Sequence, residues 1–150
     1  MADERSGKEM NVVGKPTCSC GGTAATLLYV CSGASNLGAI ADQAGRALGR
    51  HEKVRLGCLA AIGAEIPTYL DAARGAESIA AIDGCEKDCA RTLLEQKCFS
   101  HVRHLRLTDL GMVKGETPVA RPHVDAAVAR METILRDVDC QKRPIGKESE

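Results

Sequence analysis

Aromatic residues are scarce in this sequence of 150 residues, which has no Trp, two Tyr and one Phe. The core must therefore be built from Ala, Val, Ile and Leu. The scarcity also removes the stacking platforms that single-stranded nucleic acid usually needs. Charge of either sign in excess is lacking too, because twenty basic residues balance twenty acidic ones. Without a long-range field to attract a polyanion, we expect no nucleic-acid partner.

Long apolar runs are also missing. The longest, such as residues 24–31, fall far short of the roughly 20 residues that cross a bilayer. Residues 1–17 mix charges without an apolar stretch, unlike a secretory signal. We expect a cytoplasmic protein with no membrane partner. A net charge of zero mildly favours self-association, so a homo-oligomer or an unidentified protein partner is left open.

Cysteine, in contrast, is plentiful, with eight in the chain. In a protein expected in the reducing cytosol, a disulfide framework is disfavoured. Metal binding and thiol chemistry are then the two functional interpretations. The alternative is that each cysteine is a small buried hydrophobic residue, as free cysteines commonly are.

The pattern along the chain predicts one cysteine-rich α/β domain over residues 18–138, between flexible tails at 1–17 and 139–150. Short β-branched or aliphatic runs alternate with segments of helical period. They predict a three-layer, Rossmann-like sandwich with about four mostly parallel strands and helices on both faces. We expect the strands at residues 26–31, 53–58, 78–82 and 101–107.

Helix signals lie between these strands. Ser35 is a candidate N-cap for the first helix, and Pro67 could start the next one. Asp83 could cap a third helix, which would place Cys85 in its first turn. The last helix is expected to open near Pro122.

Three cysteines recur at an equal spacing. Cys31, Cys58 and Cys85 are 27 residues apart (58 − 31 and 85 − 58), and each is expected at the carboxyl end of a strand. Loops that leave the carboxyl ends of neighbouring strands line a common crevice, where ligands bind in α/β sheets. We therefore expect these thiols to lie near one another.

Cys89 follows Cys85 by four residues, a spacing that puts two side chains on one face of a helix. Together with Cys31 and Cys58 they form a four-thiolate set of the kind that zinc or an iron–sulfur cluster prefers. Zinc is the leading interpretation. Two alternatives are left open: a redox protein that holds an iron–sulfur cluster, and a thiol-based redox protein or enzyme with Cys31 or Cys85 as the reactive thiolate at a helix N-terminus.

Other residues are candidates for supporting roles. Cys18 and Cys20 form a C-x-C pair that could complete the metal site or serve a second one. Asp83 and Asp109 could orient ligands without binding the metal themselves. Cys98, Cys140 and the four histidines receive no role; His101 and His104 were expected on opposite faces of one strand.

The loop after the first strand could also bind an anion. Ser32, Gly33 and Ser35 precede a helix whose N-terminal N–H groups could face a negative ligand. The loop resembles that of cysteine phosphatases in outline, but Leu37 stands where that family needs Arg. Phosphatase chemistry is therefore disfavoured, and the sequence has no nucleotide-binding glycine motif.

Four segments together resemble the DGC-domain family, which is named after the triplet found here at residues 83–85. They are CSGASNLG (31–38), CLAAIG (58–63), IDGCEKDC (82–89) and TDLG (108–111). The resemblance implies a small prokaryotic protein whose cysteines bind zinc, with Cys31, Cys58, Cys85 and Cys89 matching the family's cysteine motifs. The pair Cys18 and Cys20 is similar to one that precedes the first strand in some members. The resemblance implies no substrate.

Overall fold

The computed structural model describes residues 26–136. Four strands and five α-helices alternate along them, and a short 3₁₀ turn, Leu107–Leu110, follows the last strand. The strands are β1 (Thr26–Val30), β2 (Val54–Leu56), β3 (Ser78–Asp83) and β4 (Arg103–Arg106). The helices are α1 (Asn36–Leu48), α2 (Leu59–Gly63), α3 (Pro67–Arg74), α4 (Cys89–Gln96) and α5 (Arg121–Arg136).

The strands form one parallel sheet in the order β2-β1-β3-β4. Val30 of β1 pairs with Ile82 of β3, and Asp83 pairs with Arg106 of β4. The chain moves from β1 outward to β2 and then crosses back to β3 on the other side of β1. The strand order therefore reverses between β1 and β3, and the carboxyl ends of those two strands are where a ligand crevice is expected in such sheets.

Each face of the sheet is covered by helices, because alternate strand residues point to opposite sides. Leu28, Val30, Ile82 and Leu105 pack with α1 and α5 in one cluster. On the other face, Leu27, Tyr29, Ile79 and Ala81 pack with residues of α2, α3 and α4. The mostly parallel α/β sandwich predicted from the sequence is thus confirmed.

Two helical details differ from the prediction. Residues 59–63 form the short helix α2, where only a loop was expected. The helix after β3 begins at Cys89, so the expectation that Cys85 lies in its first turn is wrong. Cys85 lies in the turn before the helix, because residue 88 adopts a left-handed conformation (φ 46°, ψ 44°) that a right-handed helix cannot include.

The remaining helix starts agree with the sequence signals. The Ser35 side chain accepts a hydrogen bond from the Gly38 N–H and caps α1, and α3 begins at Pro67. The predicted tails, together with Cys18, Cys20 and Cys140, lie outside the described residues. Within residues 26–136, none of the helices combines the length and the apolar character needed to cross a bilayer.

Candidate functional site

Cys31 and Asp83 lie side by side at the carboxyl edge of the sheet, where the strand order reverses. Cys31 follows β1 directly, and its N–H donates to the Ile82 carbonyl of β3 at 2.9 Å. Asp83, the last residue of β3, comes next in register and pairs with Arg106 on its other side. By strand alternation, Cys31, Asp83 and Arg106 face the side of the sheet that α4 covers.

Three of the predicted cysteines meet at this edge. Burial raises the pKa of the Cys89 thiol, and negative charge on Cys31, Asp83 and Cys85 raises it further. Such an effect requires the groups to be close, since the interaction of charges falls with distance. Cys31 and Cys85 are half-buried, Cys89 is exposed, and all three are free thiols.

Gly84 allows the turn that bears Cys85 to lie against the start of α1. A Cβ on Gly84 would stand 3.0 Å from the Leu37 Cβ and 3.2 Å from the Gly38 nitrogen. Cys85 then packs beside the core between the sheet and α1. Cys85 and Cys89 therefore approach the crevice from the α1 side and the α4 side, respectively.

Cys58 lies at the neighbouring strand end, next to a buried phenol. It is exposed and precedes the first residue of α2. Tyr29 is 2% exposed, and its ring covers Gly57 so closely that a Cβ there would stand 2.7 Å from the ring carbon Cζ. Burial raises the pKa of Tyr29 to about 12, and negative charge on Cys58 adds to the rise. Cys58 therefore lies near Tyr29, and the sequence pattern does not indicate this proximity.

Asp83 is buried, with 1% of its surface exposed, and caps α4 from a position seven and eight residues before the two helical N–H groups it binds. Its Oδ1 accepts from the Ala90 N–H at 2.8 Å, and its Oδ2 accepts from the Arg91 N–H at 3.0 Å. His104 Nε2 lies 3.0 Å from the same Oδ2. The negative carboxylate at a helix N-terminus is electrostatically favourable.

A second carboxylate, Asp88, lies beside this pair. Its Oδ1 is 3.7 Å from His104 Nε2, and both of its oxygens accept hydrogen bonds from the Arg106 guanidinium. Arg106 Nη1 also lies 3.4 Å from Oδ1 of the exposed Asp109. Asp109, expected to support the site, therefore reaches it through Arg106.

Within residues 26–136, three potential ligand atoms lie within 4.8 Å of one another in the group Asp83, Asp88 and His104. The cysteines are not part of that group. Among the described residues, no three cysteine sulfurs lie within 4.8 Å of one another, whereas Zn–S bonds of about 2.3 Å in a tetrahedron place the sulfurs roughly 3.8 Å apart.

The predicted anion loop has its hydroxyl groups engaged within the chain. Ser32 Oγ donates to the Asp42 carboxylate at 3.1 Å, and Ser35 Oγ accepts from the Gly38 N–H at 3.2 Å. Gly33 lies close to Cys31, since a Cβ on it would be 3.5 Å from the Cys31 sulfur. The Asp42 carboxylate near Ser32 would repel a second anion, so this loop gains no support as an anion site.

His104, Asp88 and Arg106 are the residues that sequence reasoning missed. His104 was set aside with His101, which lies before β4 in a left-handed conformation (φ 63°). Alternation around the buried Leu105 could have placed His104 and Arg106 on the face opposite that core residue. Only the pairing of β4 with β3 brings them to Asp83. Cys98, which received no role, is exposed after the end of α4.

The comparisons with known proteins agree with the motifs. The family model described as the DGC domain matches residues 27–133. The chain is also similar to the anaerobic and virulence modulator AnvM of Pseudomonas aeruginosa, with 32% identity over 88 residues. That alignment covers 59% of this chain and 67% of AnvM. No solved structure matches the chain. From the family match and this relative, we conclude that the chain belongs to the DGC domain family.

Proposed function

We propose that this protein binds a thiolate-preferring metal ion, zinc first, through Cys31, Cys58, Cys85 and Cys89 at the carboxyl edge of its sheet. The observation that supports this most directly is the convergence of free thiols at the point where strand order reverses. Cys31 and Cys85 are close enough to Cys89 that their negative charge raises its pKa. A cation among them would favour the thiolate form of Cys89 over the protonated form.

The donor set suits zinc chemically. Thiolates are soft ligands, which zinc and iron–sulfur clusters prefer, whereas ions such as magnesium prefer oxygen ligands. Because the pKa of the Cys89 thiol is raised, that ligand is protonated at neutral pH in the free protein. Zinc binding must therefore displace its proton, and zinc affinity should rise with pH.

The sulfurs would have to move closer to one another when the metal binds. Cys58 and Cys89 are exposed, and Cys31 and Cys85 are half-buried, so the metal would lie near the protein surface. Such a site can exchange its ion with solvent or with another thiol. Three thiolates on zinc would leave an open position, whereas four would close it.

The relative is named for a modulating role. AnvM is an anaerobic and virulence modulator by its name, and we propose that this chain also has a modulating role, which it performs by binding a metal ion. We propose the cytoplasm as its compartment because reduced thiols persist there.

Elemental analysis of protein purified anaerobically, without a metal-affinity column, tests the proposal. We expect about one zinc per chain, as a mononuclear site requires. Single Cys31→Ser, Cys58→Ser, Cys85→Ser and Cys89→Ser variants should lose zinc. Cys98→Ser is the matched control, since Cys98 is also an exposed free thiol but lies beyond α4.

Three results would contradict the proposal. Iron found together with inorganic sulfide would show that the thiolates hold an iron–sulfur cluster and not zinc. Equal zinc loss in the Cys98 variant would show that the metal is bound non-specifically. Protein that takes up neither metal after reconstitution would make the cysteines redox or packing residues.

A further inference from the structure

Asp83 joins three parts of the fold through one buried carboxylate. It ends β3, accepts the N–H groups of Ala90 and Arg91 in the first turn of α4, and contacts His104 of β4. Hydrogen bonds to a charged group are stronger than those between neutral groups. The start of α4, where Cys89 lies, is therefore fixed to the sheet by a residue of the sheet.

Asp88 fixes the other end of the same turn. Its left-handed backbone (φ 46°, ψ 44°) is costly for a residue with a side chain, although Asp tolerates it better than most. Arg106 binds both Asp88 oxygens through Nε and Nη2, and only part of either side chain is exposed. Two-point guanidinium–carboxylate contacts fix orientation as well as distance.

Two backbone N–H groups of α4 and the side chains of His104 and Arg106 supply hydrogen bonds to the two carboxylates. Both oxygens of Asp83 and both of Asp88 already accept hydrogen bonds, and the Arg106 cation balances one of the two carboxylates. A second metal ion bound there would have to displace those donors and lie near a positive charge. We therefore interpret Asp83, Asp88, His104 and Arg106 as a scaffold, called here the β4 clamp, and not as a metal site.

We propose that the β4 clamp pre-organises the segment from Cys85 to Cys89, so that metal binds to a chain that is already folded at this edge. His104 and Arg106 are the positioning residues, and both come from β4, which has no cysteine just after its carboxyl end. The inference rests on the proposed function for its effect on metal affinity. The order of the turn in the metal-free protein can be tested without it.

Pre-organisation lowers the entropy lost when ligands converge on an ion. Side chains that orient metal ligands without touching the metal typically change affinity by about 10–100-fold when replaced. We expect changes of that size for His104→Ala and Arg106→Ala. His104→Gln should restore most of the affinity, because its amide N–H can donate to Asp83 at a similar reach.

The experiment has two measurements on the full chain. Hydrogen exchange of the Ala90 and Arg91 amides in metal-free protein reports the clamp directly, since both donate to Asp83. Competition for zinc with a chromophoric chelator reports affinity. The controls are His51→Ala and Arg121→Ala, which remove a histidine and an arginine that form exposed ion pairs on other parts of the surface.

In wild-type metal-free protein, we expect both amides to be protected. In His104→Ala and Arg106→Ala their exchange should accelerate at least about tenfold, with zinc affinity reduced while the controls keep wild-type values. Unprotected amides that become protected only when zinc is added would overturn the inference even if zinc binds. Clamp variants with wild-type zinc affinity would overturn it too.

The two proposals fail separately. If wild-type protein binds no zinc, the proposed function is wrong, and the exchange data alone decide whether the clamp orders the turn. If an alanine variant does not fold, the His104→Gln variant tests the positioning role instead. A folded His104→Gln protein with the low zinc affinity of His104→Ala would contradict a positioning role for the N–H donor at this position.

Discussion

The contact between Gly57 and Tyr29 should make Gly57→Ala destabilising, although alanine is otherwise well tolerated in place of glycine. A Cβ at residue 57 would be 2.7 Å from Cζ and 2.9 Å from Cδ1 of the Tyr29 ring, and closer still to Cε1. The ring is fully buried in the core between the sheet and helices α2 to α4. It has no free space to move into, so either the ring or the end of β2 must shift.

Overpacking of this kind typically costs about 1–3 kcal/mol of the free energy of unfolding. In a chain of this size, each kcal/mol lowers the melting temperature by about 2–4 °C. The loss should depend on the ring and not on the phenol hydroxyl, because the close atoms are ring carbons. Gly57→Ala should therefore cost nearly the same in a Tyr29→Phe background and much less in a Tyr29→Leu background.

Urea unfolding of the single and double variants measures this dependence as a coupling energy. We expect a coupling of at least about 1 kcal/mol between Gly57→Ala and Tyr29→Leu, within the range seen for residues in contact. Gly63→Ala is the control, since its Cβ would be 3.4 Å from Leu93 Cδ2, an ordinary contact. The reasoning is refuted if Gly57→Ala costs less than about 0.5 kcal/mol, or costs the same in all three backgrounds.

Two further predictions concern titrating groups, Asp42 within α1 and Cys89 at the start of α4. The hydrogen bond from Arg46 lowers the pKa of Asp42, burial opposes this, and the Ser32 hydroxyl lowers it further. The resulting stability is present above the unfolded pKa of about 3.9 and is lost as the pH falls through the folded pKa. Asp42→Asn should thus be less stable than wild type at neutral pH, by less than about 1 kcal/mol because the pair is partly exposed, and the difference should vanish in acid. Since burial and neighbouring charge raise the pKa of Cys89, its reaction with iodoacetamide near neutral pH in metal-free protein should be several-fold slower than that of Cys98.

Each has a direct check. Unfolding curves for wild type and Asp42→Asn from about pH 7 to about pH 2 give the first, and a difference that stays constant over that range would contradict it. For the second prediction, mass spectrometry of peptides from the quenched iodoacetamide reaction measures the labelling of Cys89 and Cys98. Cys89 labelling as fast as Cys98 would show that its thiolate is not suppressed, and adding zinc should slow the labelling of Cys89 but not that of Cys98.

The sheet could be predicted because its signals are local. Buried strands such as β1 and β3 read as short aliphatic runs, and Ser35 and Pro67 mark helix starts within a few residues. The short helix α2 was missed because five residues hold too few turns for a helical period to show. The left-handed Asp88 was missed because nothing in the pattern distinguishes it from a helical residue, and it delays the start of α4 to Cys89.

The site was predictable only where chain position alone determines placement. The equal spacing of Cys31, Cys58 and Cys85 puts each cysteine after a strand, and parallel strands deliver their carboxyl ends to one edge. His104 and Arg106 are different, because their role depends on which strand lies next to β3 and in which register. Neither property is encoded in any short stretch of residues.

The two halves of the thiolate set are held in place in different ways. The turn between Cys85 and Cys89 is fixed by β4, a strand with no cysteine just after it, since β4 pairs with β3 and supplies a side-chain donor to each of the two carboxylates. Cys31 and Cys58 instead follow β1 and β2, the two strands on the other side of the reversal point. One half of the thiolate set is therefore held by side-chain contacts, and the other half by the sheet backbone itself. A metal ion that joins the two halves would bridge the point of strand reversal. Its binding to both halves should therefore stiffen the junction between β1 and β3 more than binding to either half alone would.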